Sequence, residues 1–135
     1  MPDSGSCIRF FSLDEANALL PQLRSGLVSL RETRRRIVGL QAQVDIEELT
    51  RSASNTDHSC VSGLLKTLDD EVQIFHKTLR SFQDLGCELK DLERGLVDFY
   101  TMRGNDVVYL CWMDGEDGIG WWHALDAGMK GRTPL

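Results

Sequence analysis

Apolar residues recur at alternating intervals of four and three along two stretches of the chain. This spacing lines one side of an α-helix. The first stretch begins at Ser12–Glu15, a capping box in which the serine hydroxyl and the Glu15 carboxylate satisfy backbone N–H groups reciprocally. The second follows the 4-3 spacing unbroken over 61–82 and ends at Gly86, which suits a left-handed C-cap. The pattern predicts a long antiparallel helical hairpin over residues 12–86.

The polar segment 51–59 predicts the loop between the helices, with Asp57 or Ser59 as the second N-cap. This loop places Leu27 opposite Phe82 in the hairpin. Residues 13–20 would then extend beyond the end of the second helix and lie against the C-terminal part of the chain.

Pro21 predicts a kink or a restart in the first helix, because proline lacks a backbone N–H and its ring clashes with the preceding turn. Arg34 and Gln41 interrupt the apolar side of this helix. A polar residue at such a position can set register or pairing specificity. We therefore expect Arg34 and Gln41 to face the second helix.

Several aliphatic residues fall outside the predicted helix–helix contact: Val28, Val38, Leu40, Ile46 and Leu49. Two helices cannot cover apolar residues on several faces, so a third layer is expected. The economical prediction is a homodimer that forms a four-helix bundle through the hairpin. The alternative is that these are scattered exposed aliphatics that need no partner.

After Gly86 the pattern changes to short apolar runs. Residues 96–102 and 106–112 predict two strands joined by the turn-forming triplet 103–105, and residues 119–123 predict a third. The predicted fold class is therefore α+β, a kinked helical hairpin followed by a small antiparallel β unit at 87–135. With an N-terminal arm at 1–11, residues 1–135 are expected to form a single domain.

Composition narrows the classes of function. The chain has 21 acidic and 15 basic residues and a net charge of −6, which disfavours binding to nucleic acid or to an anionic membrane. No leader segment and no membrane-spanning run is recognisable, so a cytoplasmic location is expected. The four cysteines show no zinc-finger spacing. Cys111, inside an apolar run, is interpreted as a buried inert thiol.

Polar residues that could carry chemistry gather in the C-terminal unit. A histidine with several carboxylates can ligate a divalent metal or act as an acid/base pair, and the candidate ligands are His123, Asp126, Glu93 and Asp98. The alternative for His123 is a structural histidine bonded to a carboxylate or to the backbone. A possible ligand or partner face comprises Trp112, Glu116, Trp122 and Arg132. The tryptophans could equally form the core of the small sheet.

Four segments together resemble a bacterial family known as domain of unknown function 2203. They are RFFSLDEANALLPQL (9–23), KDLERGLVDF (90–99), VVYLCW with GED (107–117) and GWWHALDAGMKGRTPL (120–135). The resemblance spans essentially the whole chain. It implies a cytoplasmic helical hairpin domain and supplies no catalytic residue. The resemblance implies that the positions characteristic of the family are Trp122, His123, Asp126, Gly128, Gly131, Arg132, Pro134 and Leu135.

Two classes of function remain open at this point. The first is a self-associating, non-enzymatic interaction or scaffold protein, which rests on the excess apolar helix faces. The second is a metal-binding protein or a small metal-assisted hydrolase with its site around His123. A divalent metal is the only cofactor that the residues suggest, and no recognised catalytic motif assigns a reaction.

Overall fold

A computed structural model describes residues 8–54 and 59–135, with side chains described outside 51–60. Helices come first, followed by one sheet: α1 (Leu13–Ala18), α2 (Leu20–Ser54), α3 (Ser59–Leu85), β1 (Glu88–Asp91), β2 (Leu96–Arg103), β3 (Asp106–Met113), β4 (Trp121–Ala124) and β5 (Thr133–Pro134). The predicted α+β class is therefore confirmed. The chain divides into two compact units, 1–27 with 81–135 and 28–80, and a single domain over 1–135 stays a prediction.

The predicted capping box starts α1. The Ser12 hydroxyl accepts a hydrogen bond from the Glu15 N–H at 3.1 Å, and the Ser12 N–H donates to Glu15 Oε1 at 2.9 Å. The helix then breaks at Leu19, and α2 begins at Leu20. Pro21 thus lies in the first turn of α2, where a missing N–H costs no intrahelical bond. The predicted interruption is a restart just before the proline.

The ends of the helices next to the connection differ from the prediction. Helix α2 continues to Ser54 and α3 begins at Ser59, so residues 51–54 and Ser59, which were predicted to lie in the loop, belong to the helices. The expected Asp57 cap lies outside the described residues.

In the unit 28–80, the buried side of α2 passes through Leu30, Thr33 and Val44. Arg34 and Gln41 are exposed, so their predicted place in the helix–helix contact is wrong. The Thr33 hydroxyl donates to the Ser29 carbonyl at 2.8 Å, which satisfies it locally. Thr33 can be buried here because its hydroxyl is hydrogen-bonded within its own helix, whereas burial would strip the Arg34 guanidinium of its hydration.

In the unit formed by 1–27 and 81–135, a five-stranded antiparallel sheet has the order β1-β2-β3-β4-β5. The Phe11 and Phe99 rings lie 5.3 Å apart, and the Ile119 N–H donates to Asn17 Oδ1 at 2.9 Å. The start of the helical region therefore packs against the sheet unit, as predicted. A Cβ on Gly26 would lie 2.5 Å from Phe82 Cε2, in agreement with the expected pairing near Leu27.

The predicted β-hairpin is confirmed, with its turn at Gly104 and Asn105 between β2 and β3. The third strand begins at Trp121, two residues later than expected. Strands β1 and β5 were not predicted, because they are four and two residues long and carry little apolar pattern. They complete the two edges of the sheet that positions the candidate site.

Candidate metal site

The register of the sheet brings three metal-ligating residue types onto one face. Asp98 of β2 pairs with Cys111 of β3, and Tyr109 pairs with His123 of β4. Directly opposed residues of antiparallel strands project to the same side, and so do residues two apart along a strand. Asp98, Cys111 and His123 therefore share one face, whereas Phe99 and Trp112 project from the other.

These three side chains converge in the interior. One potential ligand atom from each, a carboxylate oxygen, Sγ and a ring nitrogen, lies within 4.8 Å of the others. Asp98 and His123 are each 2% exposed, and Cys111 is fully buried. Among the described residues this is the cluster of His, Cys and carboxylate side chains whose spacing fits a metal ion.

The hydrogen bonds of His123 fix which nitrogen carries the hydrogen. Nδ1 lies 2.8 Å from the carbonyl oxygen of Ala124, and that oxygen can only accept. Nδ1 is therefore the donor, and in the neutral ring Nε2 presents a lone pair. Nε2 faces the Asp98 Oδ2 at 3.1 Å. Because two acceptors repel at this distance, either a proton, carried by the ring or by the carboxyl group, or a metal ion must lie between them.

The other oxygen of Asp98, Oδ1, has no hydrogen-bond partner among the described residues, although the atom is buried. An unsatisfied buried carboxylate oxygen costs roughly 1–3 kcal/mol or more. Burial, together with the Asp98 carboxylate, raises the pKa of the Cys111 thiol to about 12. A divalent cation would reverse this effect, because a coordinating thiol loses its proton.

Arg132 and Glu116 form an ion pair beside Cys111. Arg132 Nη2 donates to Glu116 Oε1 at 2.7 Å and to the Cys111 carbonyl oxygen at 3.3 Å. The guanidinium also lies over the Trp121 ring, 5.0 Å from its centroid. Burial alone would raise the pKa of Glu116, but the hydrogen bonds from Arg132 and the Met113 N–H, together with the charge of Arg132, outweigh burial and lower the pKa. The pair ties the C-terminal segment to β3 near the cluster.

A partly exposed polar network continues along the same face. The Tyr109 and His123 rings lie 5.3 Å apart, and the Tyr109 hydroxyl contacts Tyr100 Oη at 3.1 Å and Glu88 Oε2 at 3.2 Å. Lys90 Nζ lies 2.6 Å from the same Glu88 oxygen. The bonds with Tyr109 and Glu88 raise the pKa of Tyr100, and burial with the nearby Glu88 raises that of Tyr109. Both phenols are therefore suited to act as hydrogen-bond donors rather than as bases.

The structure separates the four predicted metal ligands into two groups. His123 and Asp98 are adjacent and buried, whereas Asp126 and Glu93 are exposed and lie outside the cluster. His123 lies in the predicted third strand, β4. Residues 125–127 form a turn after this strand, and Asp126 therefore lies outside the cluster.

The expected ligand or partner face does not form one surface. Trp112 is fully buried and donates from Nε1 to the Glu116 carbonyl oxygen at 3.0 Å, so it cannot contact a partner. Trp122 is half-buried under Arg103, whose guanidinium lies 4.5 Å from the ring centroid. Glu116 and Arg132 instead pair with each other beside the cluster of Asp98, Cys111 and His123. Trp112 therefore belongs to the core of the sheet unit, which was the alternative prediction for the tryptophans.

Sequence reasoning missed Cys111 as a candidate ligand because its apolar run indicated an inert core thiol. The short Gly104–Asn105 turn fixes the hairpin register, and counting back from it places Cys111 directly across from Asp98. An acidic residue inside the apolar run of β2 was the second signal. The register of β4 could not be counted in this way, because a longer loop precedes it.

None of the helices in the described part of the chain combines the length and apolarity that crossing a membrane requires. No curated protein and no solved structure matches this chain. One family model, described as "Uncharacterized conserved protein (DUF2203)", matches residues 9–135. The match covers every helix and strand that the structure describes. The chain therefore belongs to the DUF2203 family of uncharacterised conserved proteins.

Proposed function

We propose that this protein binds one divalent metal ion of the zinc type through Asp98, Cys111 and His123. The proposal rests on one observation: His123 Nε2 lies 3.1 Å from Asp98 Oδ2, and the Cys111 sulfur lies beside both atoms. One nitrogen, one sulfur and one oxygen donor form a set that Zn²⁺ accepts. Two ligand atoms about 2.0–2.1 Å from a tetrahedral Zn²⁺ lie about 3.3 Å apart, close to the separation seen here.

The surroundings of the donors support metal binding over a shared proton. Metal-bound histidines usually donate their second ring N–H to a carbonyl or carboxylate, and His123 Nδ1 does so to Ala124. Coordination would also neutralise the buried Asp98 carboxylate. A proton shared by His123 and Asp98 would join two of the three donors, whereas one metal ion would join all three.

Burial favours a closed site over a hydrolytic one. A catalytic zinc ion keeps a position open to water and substrate. Three protein donors would leave the fourth position of a tetrahedral ion to a water molecule, but all three donor residues are at most 2% exposed, so a substrate could not reach that position. We therefore propose that the bound metal ion stabilises the sheet and that the protein has no hydrolase activity. The thiolate ligand requires a reducing environment, so we place the protein in the cytoplasm. The two cysteines whose side chains the structure describes, Cys87 and Cys111, are free thiols, which is in keeping with a reducing compartment.

The test is a zinc titration of reduced, metal-free protein against a chromophoric chelator. The proposal predicts one Zn²⁺ per chain for the wild type and a loss of at least about 10-fold in affinity for Cys111→Ser and Asp98→Asn. Cys87→Ser is the matched control, since Cys87 is also a buried free thiol but lies outside the cluster. It should bind zinc like the wild type.

Cobalt substitution provides a second readout that does not depend on affinity. A thiolate ligand gives Co²⁺ a sulfur-to-metal charge-transfer absorption, which should be present in the wild type and in Cys87→Ser. It should be absent from Cys111→Ser. A wild-type protein that is folded and reduced, yet binds neither Zn²⁺ nor Co²⁺, would overturn the proposal.

A further inference from the structure

The outer side of α2 in the unit 28–80 carries an uncovered apolar stripe. Val38, Ile46 and Leu49 are 62%, 61% and 74% exposed, and Ala42 between them is also exposed. At 3.6 residues per turn these positions share one side of the helix, which is opposite the side that buries Thr33 and Val44. Helix α3 therefore cannot cover the stripe while it packs against the buried side.

Charge along α2 changes sign around the middle of this stripe. Residues 31–36 contain four arginines and one glutamate, whereas residues 41–50 contain Asp45, Glu47 and Glu48 and no basic residue. A parallel pairing of two such helices would oppose like charges. An antiparallel pairing centred on Ala42 would place the basic part of each helix against the acidic part of the other.

We propose that the outer stripe of α2 is a dimer interface in which two copies of this chain pair antiparallel about Ala42. Val38 of each copy then contacts Ile46 of the other. Arg34 and Glu48 lie on the same edge of the stripe and approach each other across the interface. The contact is isologous, as in most homodimers, and it does not involve the metal cluster.

Small residues at the centre would let the two helices approach closely. Gly39 is exposed, and a Cβ built on it meets no atom within 4 Å. Packing inside the chain therefore gives no reason for a glycine here, although glycine costs about 1 kcal/mol in a helix interior. A helix from a second copy would occupy that space.

The test measures association by sedimentation equilibrium with Ile46→Glu and a matched control, Ile74→Glu. Both isoleucines are exposed helical residues, at 61% and 46%, so neither substitution should impair folding. The proposal predicts that the wild type dimerises, that Ile46→Glu weakens dimerisation by at least about 10-fold, and that Ile74→Glu does not. A monomeric wild type, or a dimer broken only by Ile74→Glu, would overturn the assignment.

A charge exchange tests the antiparallel register. Arg34→Glu alone should weaken the dimer, because it opposes Glu48 of the second copy, and Arg34→Glu with Glu48→Arg should restore it. If the double variant is no stronger than the single one, the antiparallel register is wrong. Repeating the series with excess chelator separates this proposal from the metal site, because the dimer should form with or without metal.

Discussion

Gly26 provides a sensitive probe of the packing between α2 and α3 at the sheet end of the hairpin. A Cβ at this position would lie 2.5 Å from Cε2 and 3.0 Å from Cζ of Phe82, a ring that is 3% exposed. Ordinary carbon contacts are about 3.5–4.0 Å, so the ring would have to move by about 1 Å. We therefore predict that Gly26→Ala destabilises the protein through overpacking.

The magnitude follows from two opposing effects. Overpacking a buried site costs about 1–3 kcal/mol, whereas replacing a helical glycine by alanine gains about 0.8–1 kcal/mol. The net loss for Gly26→Ala is thus about 1 kcal/mol. Gly63→Ala is the matched control, because Gly63 is also helical and a Cβ built there meets no atom within 4 Å. Gly63→Ala should gain only the higher helix propensity of alanine and should raise the free energy of unfolding by about 1 kcal/mol.

Urea unfolding of the wild type and the two alanine variants measures both free energies. The difference between the variants isolates the overpacking cost and should be about 1–3 kcal/mol. In a Phe82→Leu background the shorter side chain removes the clash, so Gly26→Ala should there become stabilising. Equal stabilisation by Gly26→Ala and Gly63→Ala in the native background would refute the contact between α2 and Phe82.

Three further predictions concern α1 and its anchoring. Asn17→Leu should cost about 1–3 kcal/mol because it leaves the N–H of buried Ile119 unpaired, while Asn17→Asp keeps an acceptor and should cost less; equal losses in thermal unfolding would contradict this. Ser12→Ala should cost about 1 kcal/mol through loss of the cap, and an unchanged midpoint in urea would argue against the capping box. The hydrogen bonds from Ser12 lower the pKa of Glu15, so its stabilising effect is present above its ordinary pKa and is lost as the pH falls through the lowered value. The difference in stability between the wild type and Glu15→Ala should therefore shrink in acid, and a difference that stays constant down to strongly acidic pH would contradict the prediction.

Local signals predicted the helices and the β-hairpin. The capping box at Ser12, the unbroken spacing of α3 and the turn at Gly104 are each decided within a few residues, and all three appear as expected. The face of α2 that becomes buried was harder to predict, because the 4-3 pattern drifts at Arg34. The buried residue is instead the neighbouring Thr33, a polar residue whose hydroxyl is hydrogen-bonded to the Ser29 carbonyl of the same helix.

The candidate site depends on long-range pairing, and this limits what the sequence can predict. His123 was recognised from its residue type, but its partners depend on the register of β4 against β3. Asp98 and Asp126 were both expected as ligands, but the register brings only Asp98 to His123 and adds Cys111, which was not expected. Cys111 was dismissed because a buried thiol is usually inert, and only the three-strand arrangement gives it two ligating neighbours.

X-ray absorption at the zinc edge of the zinc-loaded protein tests the central claim most directly, because it reports the atoms bound to the metal. Coordination by Asp98, Cys111 and His123 predicts one sulfur neighbour at about 2.3 Å and nitrogen or oxygen neighbours at about 2.0–2.2 Å. The sulfur neighbour should disappear in Cys111→Ser and persist in Cys87→Ser. A zinc ion surrounded only by oxygen and nitrogen in the wild-type protein would contradict the account.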